Sequence, residues 1–315
     1  MKIGIVGLGS IGKRHAINAT KLGHDVHVYD PTVKGDFRFR HERDLYDWCD
    51  AAVIATPSLV HIAGIRACAE RGRHMLVEKP IAVTDRSLRK MLDFAASKKL
   101  TVMVGNNLRF NPCVQKAQLW LKDIGKPLWA QFICGQASTK PLYLSDGVIL
   151  NTGAHEVDMA LYLLGPARAV MANAHLGLRP GTGDSDVNPM LRNCDDIADF
   201  MLLHDSGCRS TFHLDFVAPI PTREFRIIGG GGALYCDLIK RCLYRWQHDP
   251  KLPDVVHFND YARPTHSLDD DYLDEMRAFI DRIEGKDVPG ATGEDGFAAL
   301  DILLEVRSKA GIAPR

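Results

Sequence analysis

The chain has 315 residues, 46% hydrophobic and 25% charged, with Lys+Arg and Asp+Glu equal at 39 each. That balance leaves no basic surplus for a nucleic-acid surface, and no stretch holds the roughly 18 consecutive apolar residues that a membrane span needs. Eight cysteines without a CxxC pair read as reduced thiols of a cytoplasmic protein, and the glycine-rich opening "MKIGIVGLGSIG" reads as folded structure rather than a secretion signal.

In chain order, "KIGIV" (Lys2 to Val6) is a short strand and Ile11 to Leu22 a helix. "DVHVYD" alternates as a second strand ending at Asp30, and "AAVIAT" (Ala51 to Thr56) is a third. A helix covers His61 to Glu70, "HMLVE" is the next strand, Asp85 to Lys98 a helix with Thr84 as its N-cap, and "TVMVG" another strand. Short β-branched strands alternating with helices predict a parallel sheet covered on both faces, with functional groups at the carboxyl ends of its strands.

The turn after the first strand is "GLGSIG". A GxGxxG is informative only where it follows a strand and opens a helix, as here. Gly7 permits the tight turn, Gly9 lets a pyrophosphate approach the backbone, and Gly12 lets the helix pack against the strand. Ser10, Ile11 and Gly12 then lie at the helix start, where N–H groups favour an anion. Asp30, 18 residues after Gly12, can accept the ribose hydroxyls of an adenosine and repels a 2′-phosphate, which favours NAD over NADP. Lys34, close by, pulls the other way.

"HMLVEKPIAV" places Glu78 and Lys79 at the mouth of a buried strand, with Pro80 holding Lys79 extended. The pair reads either as a strand-end salt bridge or as a working acid–base group.

Beyond about Leu121 the text changes. "PLWAQFICGQAS", "ARAVMANAHLG", "DIADFMLLH", "GCRSTFHLDF", "REFRIIGG", "GALYCDL" and "RCLYRWQ" are strand-like, joined by short turns, with one helix from about Ala154 to Leu164. This predicts an open, mostly antiparallel sheet. Two helices close the chain, one capped by Ser267 and running to Glu284, one begun by Thr292 with Asp295 and running to Ala310. The expected fold is therefore α/β plus α+β: an NAD-binding Rossmann domain over residues 1–120, and a substrate-binding and oligomerisation α/β domain over 121–315. Trp129, Phe132, Phe212 and Phe216 suggest a sheet face that needs a partner, hence a homodimer or homotetramer through the C-terminal sheet.

"GLGSIGKRH", "ATPSLVH", "EKP", "NNLRFNP" and "NTGAHEVD", in that order, resemble the Gfo/Idh/MocA oxidoreductases, the glucose–fructose oxidoreductase and inositol dehydrogenase group. The resemblance spans both halves. It implies a two-domain fold, NAD as cofactor and a sugar-like substrate held between the domains. It places Thr56, Pro57 and His61 beside the cofactor and Glu78 and Lys79 at its nicotinamide end. It puts Asn107 near the same pocket as a cofactor contact, Arg109 there as a substrate contact, and His155 with the residue four before it, Asn151, at the reacting carbon. Many members carry aspartate at that place; Asn151 can hold a hydroxyl but cannot take its proton.

The chemistry agrees with these roles. Oxidising a secondary alcohol needs a hydride acceptor and a base, and a lysine serves as base when its surroundings lower its pKa. Lys79 is the expected acid–base group, Glu78 fixes it and the nicotinamide ribose, and His155 and Asn151 hold the hydroxyl. The expected reaction is hydride transfer between nicotinamide and a ring carbon of a sugar, cyclitol or nucleotide-sugar. The alternatives are an NAD-using lyase or hydrolase of the same family without net redox change, or a non-catalytic NAD- or sugar-binding regulator. No metal is expected: Met159 stands where HExxH needs its second histidine, and "DSDVNPMLRNCD" (Asp184 to Asp195) lacks the glycine and final glutamate of a calcium loop, so it reads as a solvated excursion. "RFNP" and "PTRE" (Pro221 to Glu224) are further candidate contacts.

Overall fold

The computed structural model describes residues 1–33, 35, 38–137, 141–177, 194–247, 253–257 and 268–312, with the backbone alone at 141–145, 268 and 269. The chain divides into two compact units, one formed by Met1–Phe110 with Ser267–Leu300, the other by Asn111–His266 with Asp301–Arg315.

The first unit begins with β1 (Lys2–Val6), α1 (Ser10–Lys21), β2 (Asp25–Tyr29), α2 (Glu42–Trp48), β3 (Ala51–Ile54), α3 (His61–Glu70), β4 (His74–Glu78), α4 (Leu88–Ser97) and β5 (Val102–Gly105). These strands stand in the parallel order β5-β4-β3-β1-β2. Helices cover both faces, so the strand residues from Ala51 to Ile54 and from Met75 to Val77 are all fully buried. The Asp85 expectation shifts: α4 starts at Leu88, because the Thr84 hydroxyl accepts the Arg86 N–H in a preceding turn instead of capping the helix.

The second unit runs through α5 (Pro112–Trp120), β6 (Pro127–Gly135), α6 (Pro141–Asn151), α7 (Gly153–Leu164), β7 (Ala167–Leu176), β8 (Asp195–His204), β9 (Arg209–Asp215), β10 (Thr222–Gly229), β11 (Gly232–Asp237), β12 (Cys242–Trp246) and β13 (Asp254–His257). The sheet order is β13-β12-β11-β10-β6-β9-β8-β7, antiparallel except for the β6–β9 pair. Phe132, Phe212 and Phe216 are 0%, 3% and 6% exposed, so they fill this unit's own core rather than an open face. Phe212 stacks on Phe132 and on Phe200, with centroids 5.0 and 4.4 Å away. Trp129, of the other alternation, is half-buried on the opposite face.

The chain then returns to the first unit through α8 (Leu268–Ile283), whose Met276 and Phe279 join Ile3, Ile5, Leu76, Met103 and Phe110 in one core cluster. β14 (Ala291–Thr292) adds an antiparallel edge to β5, and α9 (Gly293–Lys309) is shared by the two units. A single cut near residue 120 therefore differs from the observed division. Phe110 ends the first unit because its ring belongs to that core, and residues 267–300 rejoin it. Ser267 lies outside the described residues, as do Lys34 and 184–193. The predicted capping box is present: Thr292 Oγ1 accepts the Asp295 N–H at 3.1 Å while Asp295 Oδ2 accepts the Thr292 N–H at 2.8 Å. All eight cysteines are free thiols. No helix among the described residues is long and apolar enough to cross a membrane.

Candidate functional site

The parallel register sets one row of residues along the carboxyl edge of the first sheet. Val6 pairs with Ile54, Ile54 with Val77, and Glu78 with Gly105. The residues that follow the four strand ends are Gly7, Ala55, Lys79 and Asn106, the last two one register step beyond the first two.

Gly7 sits at φ +93°, and a Cβ there would collide with the Ala55 carbonyl. A Cβ on Gly12 would collide with the Gly7 carbonyl oxygen, so this glycine is what lets α1 close on the turn. A Cβ on Gly9 would meet nothing within 4 Å. The turn therefore leaves open space at Gly9, at the start of a helix with no side-chain cap and no acid in its first turn. Ser10 is exposed and Ile11 half-buried beside it. This is the cradle a pyrophosphate requires. The Thr56 hydroxyl, at the same edge, is buried without a hydrogen-bond partner among the described residues, as is Asn106 Oδ1. These observations fit a dinucleotide.

Asp30 does more than its sequence position suggests. Its Oδ2 accepts the Leu8 N–H at 2.7 Å, and its Oδ1 accepts from Thr32 N, Thr32 Oγ1 and Val33 N. Burial alone would raise this carboxyl, but the bonds from Leu8, Thr32 and Val33 outweigh it and hold it below its ordinary value. Asp30 thus staples the glycine turn to β2, and Oδ2, with one donor, keeps acceptor capacity for a ribose hydroxyl.

The EKP stub is held from three sides. Glu78, 7% exposed, places Oε1 2.7 Å from His15 Nε2 and accepts the Lys79 N–H on Oε2 at 3.2 Å. Gly105 makes the room, since a Cβ there would lie 2.9 Å from Glu78 Oε1. His61 brackets the stub: its Nδ1 is 2.9 Å from the Pro80 carbonyl oxygen and its Nε2 2.8 Å from that of Thr56. Its ring thus links the main chain just before the exposed Pro57 to that of the EKP stub. Lys79 is half-buried, and the Lys79–Pro80 peptide is cis.

Asn107 and Arg109 follow β5 in a buried turn, 5% and 6% exposed. Arg109 Nη1 donates to Asp295 Oδ2 at 3.3 Å. Burial would raise the Asp295 carboxyl, but the Arg109 charge and the Thr292 bonds prevail and lower it. A depressed carboxylate contributes stability above its ordinary value and loses it as pH falls through the folded value. Asp295→Asn is therefore expected to cost about 1 kcal/mol at pH 7, a modest figure because this carboxylate is partly solvent-screened. The gap from wild type should close below pH 3.8, the ordinary carboxylate value. Urea unfolding at several pH values checks this; a gap constant down to pH 3 would contradict it.

In the second unit, α6 breaks at Gly147 (φ 73°), where a Cβ would collide with Asp195. Asp195 is not part of a solvated excursion, as its sequence neighbours suggested. It is fully buried, with Oδ2 accepting the Ile149 N–H at 2.6 Å and Oδ1 accepting from Arg307 Nη1 at 2.9 Å. That carboxylate starts the helical turn that ends at Asn151. Thr152 keeps helical angles (φ −75°, ψ −42°) into α7. Asn151 and His155, four apart and both half-buried, thus lie on one side of the junction. Glu156, fully buried, accepts from Arg223 Nε at 2.8 Å, which ties the first turn of α7 to β10. The guanidinium of "PTRE" is committed to that pair. The sequence reading missed His15, Asn106 and Asp195. Nothing local to "GKRH" signals that its histidine meets Glu78, and only the fold brings Asp195 to Ile149.

Known proteins resemble the chain in both sequence and fold. Residues 1–106 match a family model described as an oxidoreductase family with an NAD-binding Rossmann fold, and 116–235 match one described as the GFO/IDH/MocA C-terminal domain. The chain is similar to myo-inositol 2-dehydrogenase of Thermotoga maritima, 24% identical over 95% of this chain and 93% of that one. Its fold is similar to the solved UDP-N-acetylglucosamine 3-dehydrogenase of Acidithiobacillus ferrooxidans (TM-score 0.82, 21% identity, 99% of this chain and 98% of that one). It is likewise similar to a levoglucosan dehydrogenase solved with NADH and levoglucosan (TM-score 0.87, 21% identity, 99% and 97%).

Proposed function

The chain belongs to the Gfo/Idh/MocA oxidoreductase family, and from that premise we propose that it transfers hydride between NAD and a ring carbon of a sugar, cyclitol or nucleotide-sugar. The observation that carries this reading is the shared carboxyl edge: the open glycine turn and the braced Glu78–Lys79 stub leave the same parallel sheet, with β3 between their strands. NAD+ accepts the hydride when bound. Ser10, Ile11 and Gly12 offer N–H groups to the pyrophosphate, Asp30 an acceptor to the adenosine ribose, and Thr56 and Asn106 unsatisfied polar atoms. Lys79 takes the hydroxyl proton, or returns it in the reverse direction. Asn151 and His155 orient the hydroxyl; Asn151 has no proton-accepting carboxylate, so the proton work falls to Lys79 and His155. The names of the relatives support a polyol-type substrate.

Titration with NADH and with NADPH, followed by nicotinamide fluorescence, tests the cofactor half. NADH should bind at least about tenfold more tightly, because Asp30 repels a 2′-phosphate. Gly9→Ala should weaken NADH about tenfold or more without lowering the melting temperature by more than about 2 °C, since its Cβ enters open space in this structure. Undiminished binding by Gly9→Ala would mean that the turn does not take the pyrophosphate. A screen of myo-inositol, levoglucosan and UDP-N-acetylglucosamine with NAD+ tests the substrate half; NADH accumulating with none of them would turn the reading toward the non-redox members. For assembly, the sheet face bearing Trp129, Met201 and Ile228 is where a second copy is expected, and sedimentation checks it.

A further inference from the structure

We propose that His15 is a positioning residue for Lys79, and that α8 completes the device with Glu275. The proposal rests on the reading of Lys79 as the acid–base group.

His15 and Glu275 are both fully buried, and Glu78 nearly so. They come from α1, α8 and the end of β4, and one ligand atom from each lies within 4.8 Å of those of the other two. Burying ionisable side chains is costly unless they are paired. The face of α8 that carries Glu275 also carries the fully buried Asp271 one turn earlier, and the core residues Met276 and Phe279 lie fully buried beside it. An apolar residue at 275 would suit that core better if packing were its only task. What the cluster accomplishes is local. His15 Nε2 holds Glu78 Oε1, and the other oxygen of the same carboxylate accepts the Lys79 N–H. The root of the Lys79 side chain is thereby fixed by a chain of two contacts that begins in α1. Tyr272 sets the imidazole from α8, edge-on at 6.0 Å, and Arg14 in turn lies over the Tyr272 ring at 4.6 Å. A helix that reaches the first unit only after the chain has built the second thus fixes the residue that holds the EKP stub.

Hydrogen exchange at the Lys79 amide, followed by NMR in wild type, His15→Phe, His15→Gln and Glu275→Gln, reads this positioning without a substrate. Exchange at Lys79 should quicken at least about tenfold in His15→Phe, with the Val77 and Val104 amides unchanged. It should recover toward wild type in His15→Gln, whose amide can still donate to Glu78. Should His15→Phe fail to fold, the near-isosteric Glu275→Gln carries the test with an acceleration of about threefold. Turnover of NAD+ with myo-inositol, levoglucosan or UDP-N-acetylglucosamine adds a second arm. There kcat should fall about thirtyfold in His15→Phe, the KM for NAD+ should move less than about threefold, and the residual turnover of Lys79→Met should be no lower with His15→Phe added. Unchanged exchange at Lys79 overturns the proposal, as does an equal loss of turnover with and without Lys79. A Lys79→Met enzyme of wild-type rate would instead sink the acid–base reading and leave the exchange result standing.

Discussion

Lys79→Met is expected to lower kcat by about a thousandfold or more while NADH binding stays within about threefold of wild type. A positioned general base contributes roughly 10²–10⁴ in rate, and no aspartate stands at position 151 to take over the proton. Methionine keeps the unbranched apolar stem and removes only the amine. The main chain around it is held by other groups: Glu78 holds the Lys79 N–H, and His61 holds the carbonyls of Thr56 and Pro80. The loss should therefore appear in turnover and not in folding or cofactor affinity. Lys79→Arg should be nearly as inactive, because a guanidinium does not give up its proton near neutral pH. Either variant turning over at the wild-type rate would remove Lys79 from the mechanism, and the strand-end ion pair would be the reading left for the stub.

Much of this site was legible because its signals are local. GxGxxG between a strand and a helix, a carboxylate at the end of the second strand, and "EKP" closing a buried strand each occupy a few consecutive residues, and the parallel topology places them on one edge without further information. The helices at 61–70 and 153–164 and the capping box at Thr292 were local in the same sense. What escaped is long-range. Asp30 was visible as a ribose acceptor, but its bond to Leu8 depends on the packing of β2 beside β1. His15 looked like one polar residue in a helix until α8 and β4 closed around it. The return of residues 267–300 to the first unit cannot be read from periodicity, because a helix pattern states which face is apolar and not which core receives it. Phe132 and Phe212 were ambiguous for the same reason, since alternation separates the two faces of a strand but does not say which face is internal.

Asp195 is the sharpest of these cases, and its substitution should cost the second unit about 3–5 kcal/mol. Asp195 is fully buried and Arg307 is 3% exposed, so Asp195→Ala removes the carboxylate from a guanidinium that water does not reach. It also deprives the Ile149 N–H of its acceptor just after the Gly147 break. Asp195→Asn should cost less, since an amide oxygen can still accept from Ile149 while the ion pair is lost. Replacing both partners, Asp195→Leu with Arg307→Met, should cost less than the two single changes added together, because no charge is then stranded. Urea unfolding followed by tryptophan fluorescence suits the measurement: Trp120, Trp129 and Trp246 belong to the second unit and Trp48 to the first, so Trp→Phe backgrounds separate the two transitions. The second-unit transition should move and the first should not. Because Asp195 anchors the turn that ends at Asn151, turnover should fall in Asp195→Asn at urea concentrations where the first unit still binds NADH. A loss below about 1 kcal/mol in Asp195→Ala would place the pair among those that contribute nothing measurable. The stability of the Asn151–His155 junction would then have to come from α7 itself, through the Glu156–Arg223 pair and the packing of Gly153 against Leu303.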